Sequence, residues 1–237
     1  MNVVITGSTG MVGKGVLIEC LEHPKVTKVL VINRTSLNIQ HSKLEELLLS
    51  DFRNIYKYKN RLSDFDACFF CMGVSSLGLS EETYTNLTFN ITMAFADILY
   101  ELNKDMVFNY VSGSGTDSSE NGATMWARVK GKTENYILNK GFKDAYAFRP
   151  GAIIPEKGIS SKTGWYNAIY VILKPVFPLM KMSKNITTTT RLGLAMIHSV
   201  LKPVTLKHLE NVDINHLANG KQIWGAEKGG YIFKKCD

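Results

Sequence analysis

The sequence predicts a three-layer α/β fold with a doubly wound, mostly parallel sheet and a small C-terminal region. Three observations predict it. Short apolar runs alternate with segments of helical period, which is the pattern of successive βαβ units. A glycine triplet, Gly7, Gly10 and Gly13, lies between the first apolar run and the first helical one. Hydrophobic residues make up 45% of the 237-residue chain and charged residues 21%, enough apolar side chain to bury a core and too much for a disordered chain. Together these describe a Rossmann fold.

The elements follow in order. Residues 2–6 read as a buried strand and 12–21 as a helix. A link carrying Pro24 leads to the second strand at 28–33. Residues 43–50 fit a helix, a strand, or one running into the other. A strand at 67–72 is followed by a long amphipathic helix at 81–102 and a strand at 107–112. A helix at 124–139 is ended by Gly141. The strand at 145–149 is stopped by Pro150 and Gly151. Beyond Gly151 the pattern loses regularity. Residues 1–155 therefore read as a nucleotide-binding core and 156–237 as a smaller substrate or lid region packed on it, in one compact unit.

Composition narrows the function classes. The net charge of +7 comes from 28 basic and 21 acidic residues, scattered without a run of five like charges. Most of it reads as solvated surface and the rest as a field for an anionic ligand, with no nucleic-acid partner expected. Cys68 and Cys71 have CxxC spacing, but they sit inside the apolar run ACFFCMG and read as small buried hydrophobes. Cys20 and Cys236 stand alone. The five histidines are dispersed without metal-ligand spacing, so no metal is expected. No GxSxG elbow supports a hydrolase. The chain opens directly into a strand, without a signal-peptide pattern. The longest apolar stretch, 165–180, is interrupted by Lys174, Pro175 and Pro178 and is too short to span a bilayer. A reducing, cytoplasmic setting is the expectation.

The segment VVITGSTGMVGKG carries the first chemistry. Gly7 allows a tight turn off the strand, Gly10 leaves room for a pyrophosphate, and Gly13 lets the helix approach the sheet. Ser8, Thr9, Met11 and Val12 complete the loop, whose helix end aims free N–H groups at the phosphates. The second strand ends in Asn33-Arg34-Thr35-Ser36. A ribose with a free 2′-hydroxyl is usually held there by a carboxylate, and none is present. Arg34 instead suits a 2′-phosphate, which favours NADP, with NAD the alternative.

Further residues extend this pattern: Asp51-Phe52, Cys71-Met72-Gly73, Val111-Ser112-Gly113-Ser114, Lys130 with Glu134, and Phe148-Arg149-Pro150-Gly151. In this order they resemble the short-chain dehydrogenase/reductase superfamily, in its atypical, NAD(P)-binding, epimerase-like branch that includes the Tat-interacting oxidoreductase-like proteins. The resemblance covers residues 1–155 and continues weakly through 187–199. It implies that Asp51 and Phe52 flank the adenine. Cys71, Met72 and Gly73 would let the backbone approach the cofactor's ribose and pyrophosphate. Ser112 or Ser114 would orient a substrate oxygen, and Arg149, Pro150 and Gly151 would pass near the nicotinamide.

The superfamily's proton chemistry rests on a Tyr and a Lys at i and i+4, on one face of a helix. Lys130 is present, but Trp126 stands four residues before it. An indole donates a hydrogen bond and has no accessible pKa for proton transfer. Other YxxxK pairs are Tyr100–Lys104, Tyr136–Lys140 and Tyr170–Lys174. Tyr100 precedes the serine-bearing strand, and Tyr136 lies about 240° around the helix from Lys130. Tyr170 falls past the core. Two functions follow: an NADP-dependent oxidoreductase or epimerase-like enzyme using Ser112, Ser114 and Lys130 on a small carbonyl, hydroxyl or nucleotide-sugar substrate, or an inactive NADP(H)-binding sensor or scaffold. Trp165, Tyr166, Ile169, Tyr170, Val171 and Leu173 form an amphipathic segment suited to packing, to covering the site, or to a homodimer or membrane-touching face. Residues 187–190 read as a hydroxyl-capped helix start.

Overall fold

The alternation of buried residues decides the layers. Val3 and Ile5 point to one side of the first strand and Val4 to the other, and all three are fully buried. A strand with two apolar faces belongs in the middle of a sheet covered on both sides. That is where the computed structural model, which describes residues 1–159, 177–180 and 183–221, puts it.

Among the described residues nine strands form: β1 Asn2–Thr6, β2 Lys28–Asn33, β3 Leu44–Leu48, β4 Ala67–Phe70, β5 Val107–Val111, β6 Asp144–Arg149, β7 Ala152–Ile154, β8 Ile186–Thr188 and β9 His208–Glu210. Seven make one parallel sheet in the order β3-β2-β1-β4-β5-β6-β9, and β7 pairs with β8 in a small second sheet. The winding direction reverses between β1 and β4. The crevice at the C-terminal ends of those two strands is where such sheets take ligands.

The helices among the described residues are α1 Met11–Glu22, α2 at residues 81–102, α3 Met125–Leu138, α4 Phe177–Met180, α5 Thr189–Leu201 and α6 Asn211–Ala218. The rod α2 joins Glu81–Thr85, a π-helical turn Asn86–Asn90 and Ile91–Leu102. On one face of the sheet α1, α5 and α6 cover Val3, Ile5, Val29, Val31, Phe69 and Phe148. On the other, α2, α3 and a 3-10 segment at Phe52–Arg61 cover Val4, Leu30, Ile32, Phe70 and Phe108. This is the three-layer, doubly wound arrangement expected from the sequence.

Several local features differ from the sequence reading. The ambiguous stretch at 43–50 is the edge strand β3, with Leu47 buried and Leu48 exposed. The 3-10 segment after it carries no apolar period to announce it; Ile55 is its one buried residue. Strands β4 and β5 stop at Phe70 and Val111, short of the predicted 72 and 112. Cys71, Met72 and Ser112 thereby fall just past the strand ends, at the crevice.

The C-terminal part is woven into the core. Strand β9 extends the main sheet beside β6, with Arg149 opposite Glu210. Helix α5 lies on α1 so closely that a Cβ on Gly15 would come 2.6 Å from Thr189 Cβ, and one on Gly193 would come 2.7 Å from Glu19 Cγ. Thr188 caps α5 by accepting from the Arg191 backbone N–H at 3.1 Å. No helix among the described residues is long and apolar enough to cross a membrane. The aromatic segment at 165–173, the Tyr170–Lys174 pair and Cys236 lie outside the described residues.

Candidate functional site

Glycine shapes the first half of the site. Gly7 turns off β1 with φ +70°, and a Cβ there would come 2.8 Å from the backbone of Cys71 and Met72. The β1–α1 loop therefore lies directly against the end of β4. A Cβ on Gly13 would meet the Gly7 carbonyl oxygen at 2.3 Å, which presses the first turn of α1 onto the loop. Gly10 differs: its Cβ would touch only the Gly7 oxygen, at 3.4 Å. Among the described residues no other atom beyond its chain neighbours lies within 4 Å of that position. The Gly10 N–H closes the turn onto Gly7 O at 2.9 Å.

A cleft of about 600 Å³ opens over this loop. Its floor is Gly7, Thr9 and Gly10, and Cys71, Met72 and Gly73 form the wall from β4. Phe52, Leu87 and Ile91 form an apolar side, with Phe52 packed on Phe95 at 6.2 Å between ring centroids. Asn33, Arg34 and Thr35 close the far end. Among the described residues no carboxylate lines the cleft. Arg34 is exposed and makes no hydrogen bond or ion pair with the described residues. Burial raises the Cys71 thiol well above its usual range, so it is a neutral wall group.

The other predicted members of this half lie beside the cleft. Ser8 is buried and exchanges hydrogen bonds with Asn33 at 3.0 and 2.9 Å, pinning the loop to the end of β2. Met11, Val12 and Gly13 are the first turn of α1. Asp51 caps the 3-10 segment and grips Arg53, which holds its carboxyl below the usual range. Ser36 and the Leu37 N–H both bond Glu46 on β3, so that carboxylate serves the loop after Arg34.

Charge organises the second half, at the ends of β5, β6 and β9. Glu134 on α3 is fully buried. It accepts from the Ser112 hydroxyl and from Arg149, whose Nε lies 3.0 and 3.2 Å from the two carboxylate oxygens. His208 Nε2 lies 3.6 Å from the same carboxylate. Burial and Arg149 both lower that imidazole's pKa, opposed by Glu134. The Lys130 ammonium donates to the Ser112 carbonyl. Desolvation pushes its pKa down to about 8, against the pull of Glu134. Trp126 sits one turn earlier, with its ring edge 3.6 Å from the Cβ position of Gly115.

Ser112 and Ser114 therefore differ in situation. Ser112 is buried and bonded to Glu134 and to Phe148 O. Ser114 is exposed and lines a cavity of about 160 Å³ with Gly151, Asn185, Glu210, Asn211 and Val212. The loop holding Ser114 is fixed by its N–H on Pro150 O at 3.1 Å. Glu210 and Asn211 went unnoticed in the sequence because β9 is three residues long, too short for alternation to register. The available signal was the helix start Glu210-Asn211-Val212-Asp213, where Asp213 accepts from the Glu210 N–H at 3.0 Å. The spare YxxxK pair Tyr136–Lys140 is a real contact of 3.0 Å, but both side chains bond Asp97 of α2, away from this site. Among the described residues no group of three or more His, Cys, Asp or Glu could hold a metal.

No protein-family model matches the chain. Protein HTATIP2 of Rattus norvegicus is 24% identical over 220 residues, 91% of this chain and 88% of that protein. The mitochondrial protein fmp52 of Emericella nidulans is 25% identical over 166 residues, 66% of this chain and 68% of that one. Among solved structures, the short-chain dehydrogenase/reductase YIR035C of Saccharomyces cerevisiae superposes with a TM-score of 0.66 at 14% identity, covering 92% of this chain and 98% of its own. The chain thus has the fold of the short-chain dehydrogenases/reductases and is similar in sequence to HTATIP2 over most of its length. The Bordetella bronchiseptica enzyme WbmF, solved with NAD+, shares the fold at a TM-score of 0.64 and 13% identity, over 92% of this chain and 77% of that one. Helix α3 carries Lys130 at the end of β5 and, four residues before it, the indole of Trp126.

Proposed function

We propose that the chain is an NADP(H)-dependent oxidoreductase or epimerase-like enzyme acting on a small carbonyl or hydroxyl substrate, nucleotide sugars included. The observation that carries the cofactor is the cleft lining: one open guanidinium at the end of β2, no carboxylate, and free space over Gly10. A 2′-phosphate pairs with Arg34, while a bare ribose finds no carboxylate to accept its hydroxyls. The residues fit the nucleotide. Gly7–Gly13 and the α1 N-terminus would hold the pyrophosphate, Phe52 would flank the adenine, and Lys130 would reach the nicotinamide ribose. WbmF's NAD+ supports a nicotinamide nucleotide as the ligand class. When bound, the nucleotide supplies or accepts hydride. The chain's own work is to hold the substrate oxygen near Ser114 and to exclude water with the loops around Gly113 and Gly151.

Trp126 favours a second reading, a nucleotide-binding sensor without turnover. Fluorescence titration with NADPH and then NADH, followed by a carbonyl panel in the same cuvette, separates the two. The enzyme reading expects NADPH to bind at least about 10-fold more tightly than NADH, worth about 1.4 kcal/mol, with oxidation on adding a carbonyl. Arg34→Ala should erase the preference and leave NADH binding intact. Equal affinities would remove the NADP assignment. The cytoplasm and a homodimer are further proposals, checked by fractionation of a tagged chain and by light scattering.

A further inference from the structure

Oxidoreductase chemistry at this site leaves the proton unassigned. On the enzyme reading above, we propose that Glu210 donates the proton to the substrate oxygen and takes it back in the reverse direction, in place of the absent phenol.

Position comes first. Glu210 is the last residue of β9, at the C-terminal edge of the parallel sheet, opposite Arg149 of β6. Its side chain is 46% exposed and lines the 160 Å³ cavity with Ser114, Gly151, Asn185 and Asn211. With about 30 Å³ for each water in the liquid, that space suits a carbonyl group and a few attached atoms. The cavity is built rather than incidental. Asn211 is buried, donates to Asn185 O at 2.6 Å, and accepts from the Gly151 N–H at 3.2 Å. Ser114 lines the same cavity, so the acid and the hydroxyl that orients the substrate face one space.

Elimination comes second. Among the described residues around the site, Glu134 is fully buried and held by Arg149 and Ser112. The Lys130 ammonium is held on Ser112 O. His208 Nε2 is buried beside Glu134. Tyr110 is buried, and that burial raises its phenol far above the working range. Tyr136 faces Asp97. Glu210 alone of these joins a titratable group to an open cavity.

The charges facing Glu210 suit the task. Burial raises its carboxyl, and Asp213 of α6 and Glu134 of α3 add to the rise. Arg149 of β6 and the Ser114 hydroxyl oppose it. Its β9 neighbour His208 has a lowered pKa and is neutral near pH 7. The protonated acid thus persists above the usual carboxylate range. In reduction the carbonyl carbon takes a hydride from the reduced nicotinamide. The carbonyl π bond breaks, and its oxygen takes the Glu210 proton. The products are an alcohol, the oxidised nucleotide and a carboxylate, which regains its proton from water.

The test compares wild type, Glu210→Gln and Glu210→Asp, each checked by circular dichroism. Two readouts are used: NADPH-dependent reduction of diacetyl, glyceraldehyde and benzaldehyde across pH, and infrared difference titration of the nucleotide-free proteins. The Gln variant should bind NADPH within about 2-fold of wild type and lose about 100-fold in kcat, together with the pH dependence. The Asp variant should recover part of the rate, and it carries the test if the Gln variant does not fold. The wild-type spectrum minus the Gln spectrum should contain a carboxyl band that titrates above the usual range. Turnover by the Gln variant at the wild-type rate, or a band titrating in the ordinary range, overturns the role of Glu210 and leaves the enzyme reading standing. NADPH binding with no turnover by wild type overturns the enzyme reading, and this proposal with it.

Discussion

The two ends of the crevice are built on opposite principles. At the nucleotide end the chain removes atoms: Gly7, Gly10 and Gly13 clear a surface, and Arg34 extends from it without a partner among the described residues. At the substrate end it adds interactions until nearly every charge is engaged: Lys130 on Ser112, Ser112 on Glu134, Glu134 on Arg149. A polyanion needs free N–H groups and an open cation. Proton chemistry needs groups whose positions and charge states are fixed beforehand. Arg149 faces both carboxylates of this half: Glu134 is fully buried against it, whereas Glu210, 3.9 Å from the same guanidinium, is 46% exposed and lines a cavity.

Three perturbations press on this contrast. The largest effect is expected from Glu134→Ala. Removing the carboxylate strands a mostly buried Arg149 and should cost about 3–5 kcal/mol of stability. Urea denaturation reads the loss, and Glu134→Leu with Arg149→Met should regain part of it; a loss under 1 kcal/mol would mean that the pair is not the scaffold described. Next is Gly13→Ala. Its Cβ has no room beside the Gly7 oxygen, so about 1–3 kcal/mol of stability should go together with NADPH affinity. A variant that keeps full affinity would show that the loop has slack. The smallest effect concerns Lys130. Its pKa is lowered to about 8, below the unfolded value, so the cost of burying the ammonium is fully present below pH 8 and is relieved as pH rises toward the unfolded pKa. Nucleotide affinity runs the other way: if the ammonium holds the ribose, it should fall a few-fold as pH rises through 8. Lys130→Met should flatten that profile.

The nucleotide half was legible because its signal is local. A glycine triplet between a strand and a helix, and a missing carboxylate at the next strand end, need only neighbouring residues to be read. Long, doubly buried strands such as β1 and β2 are likewise visible as unbroken apolar runs. The substrate half is assembled from residues that sequence spacing does not join. Glu134 meets Arg149 from 15 positions away and Ser112 from 22. Glu210 reaches the site on a strand of three residues that has no alternation to detect. Arg149 illustrates the limit: its place at the end of β6 could be read, whereas the turning of its guanidinium onto a buried carboxylate could not. The edge strand β3 stayed ambiguous because its solvent side breaks the apolar run.

The contact between Gly15 and Thr189, and its counterpart between Gly193 and Glu19, bears on how the chain matures during synthesis. Helix α1 is synthesised before the helix that covers it, which follows more than 160 positions later. Until then Val16, Leu17 and Cys20, with the strand residues Val3, Ile5, Val29 and Val31, have one side bare. A nascent chain halted before residue 189 exposes that apolar surface to any holdase nearby. Release of α5 supplies the cover that this surface lacks until then.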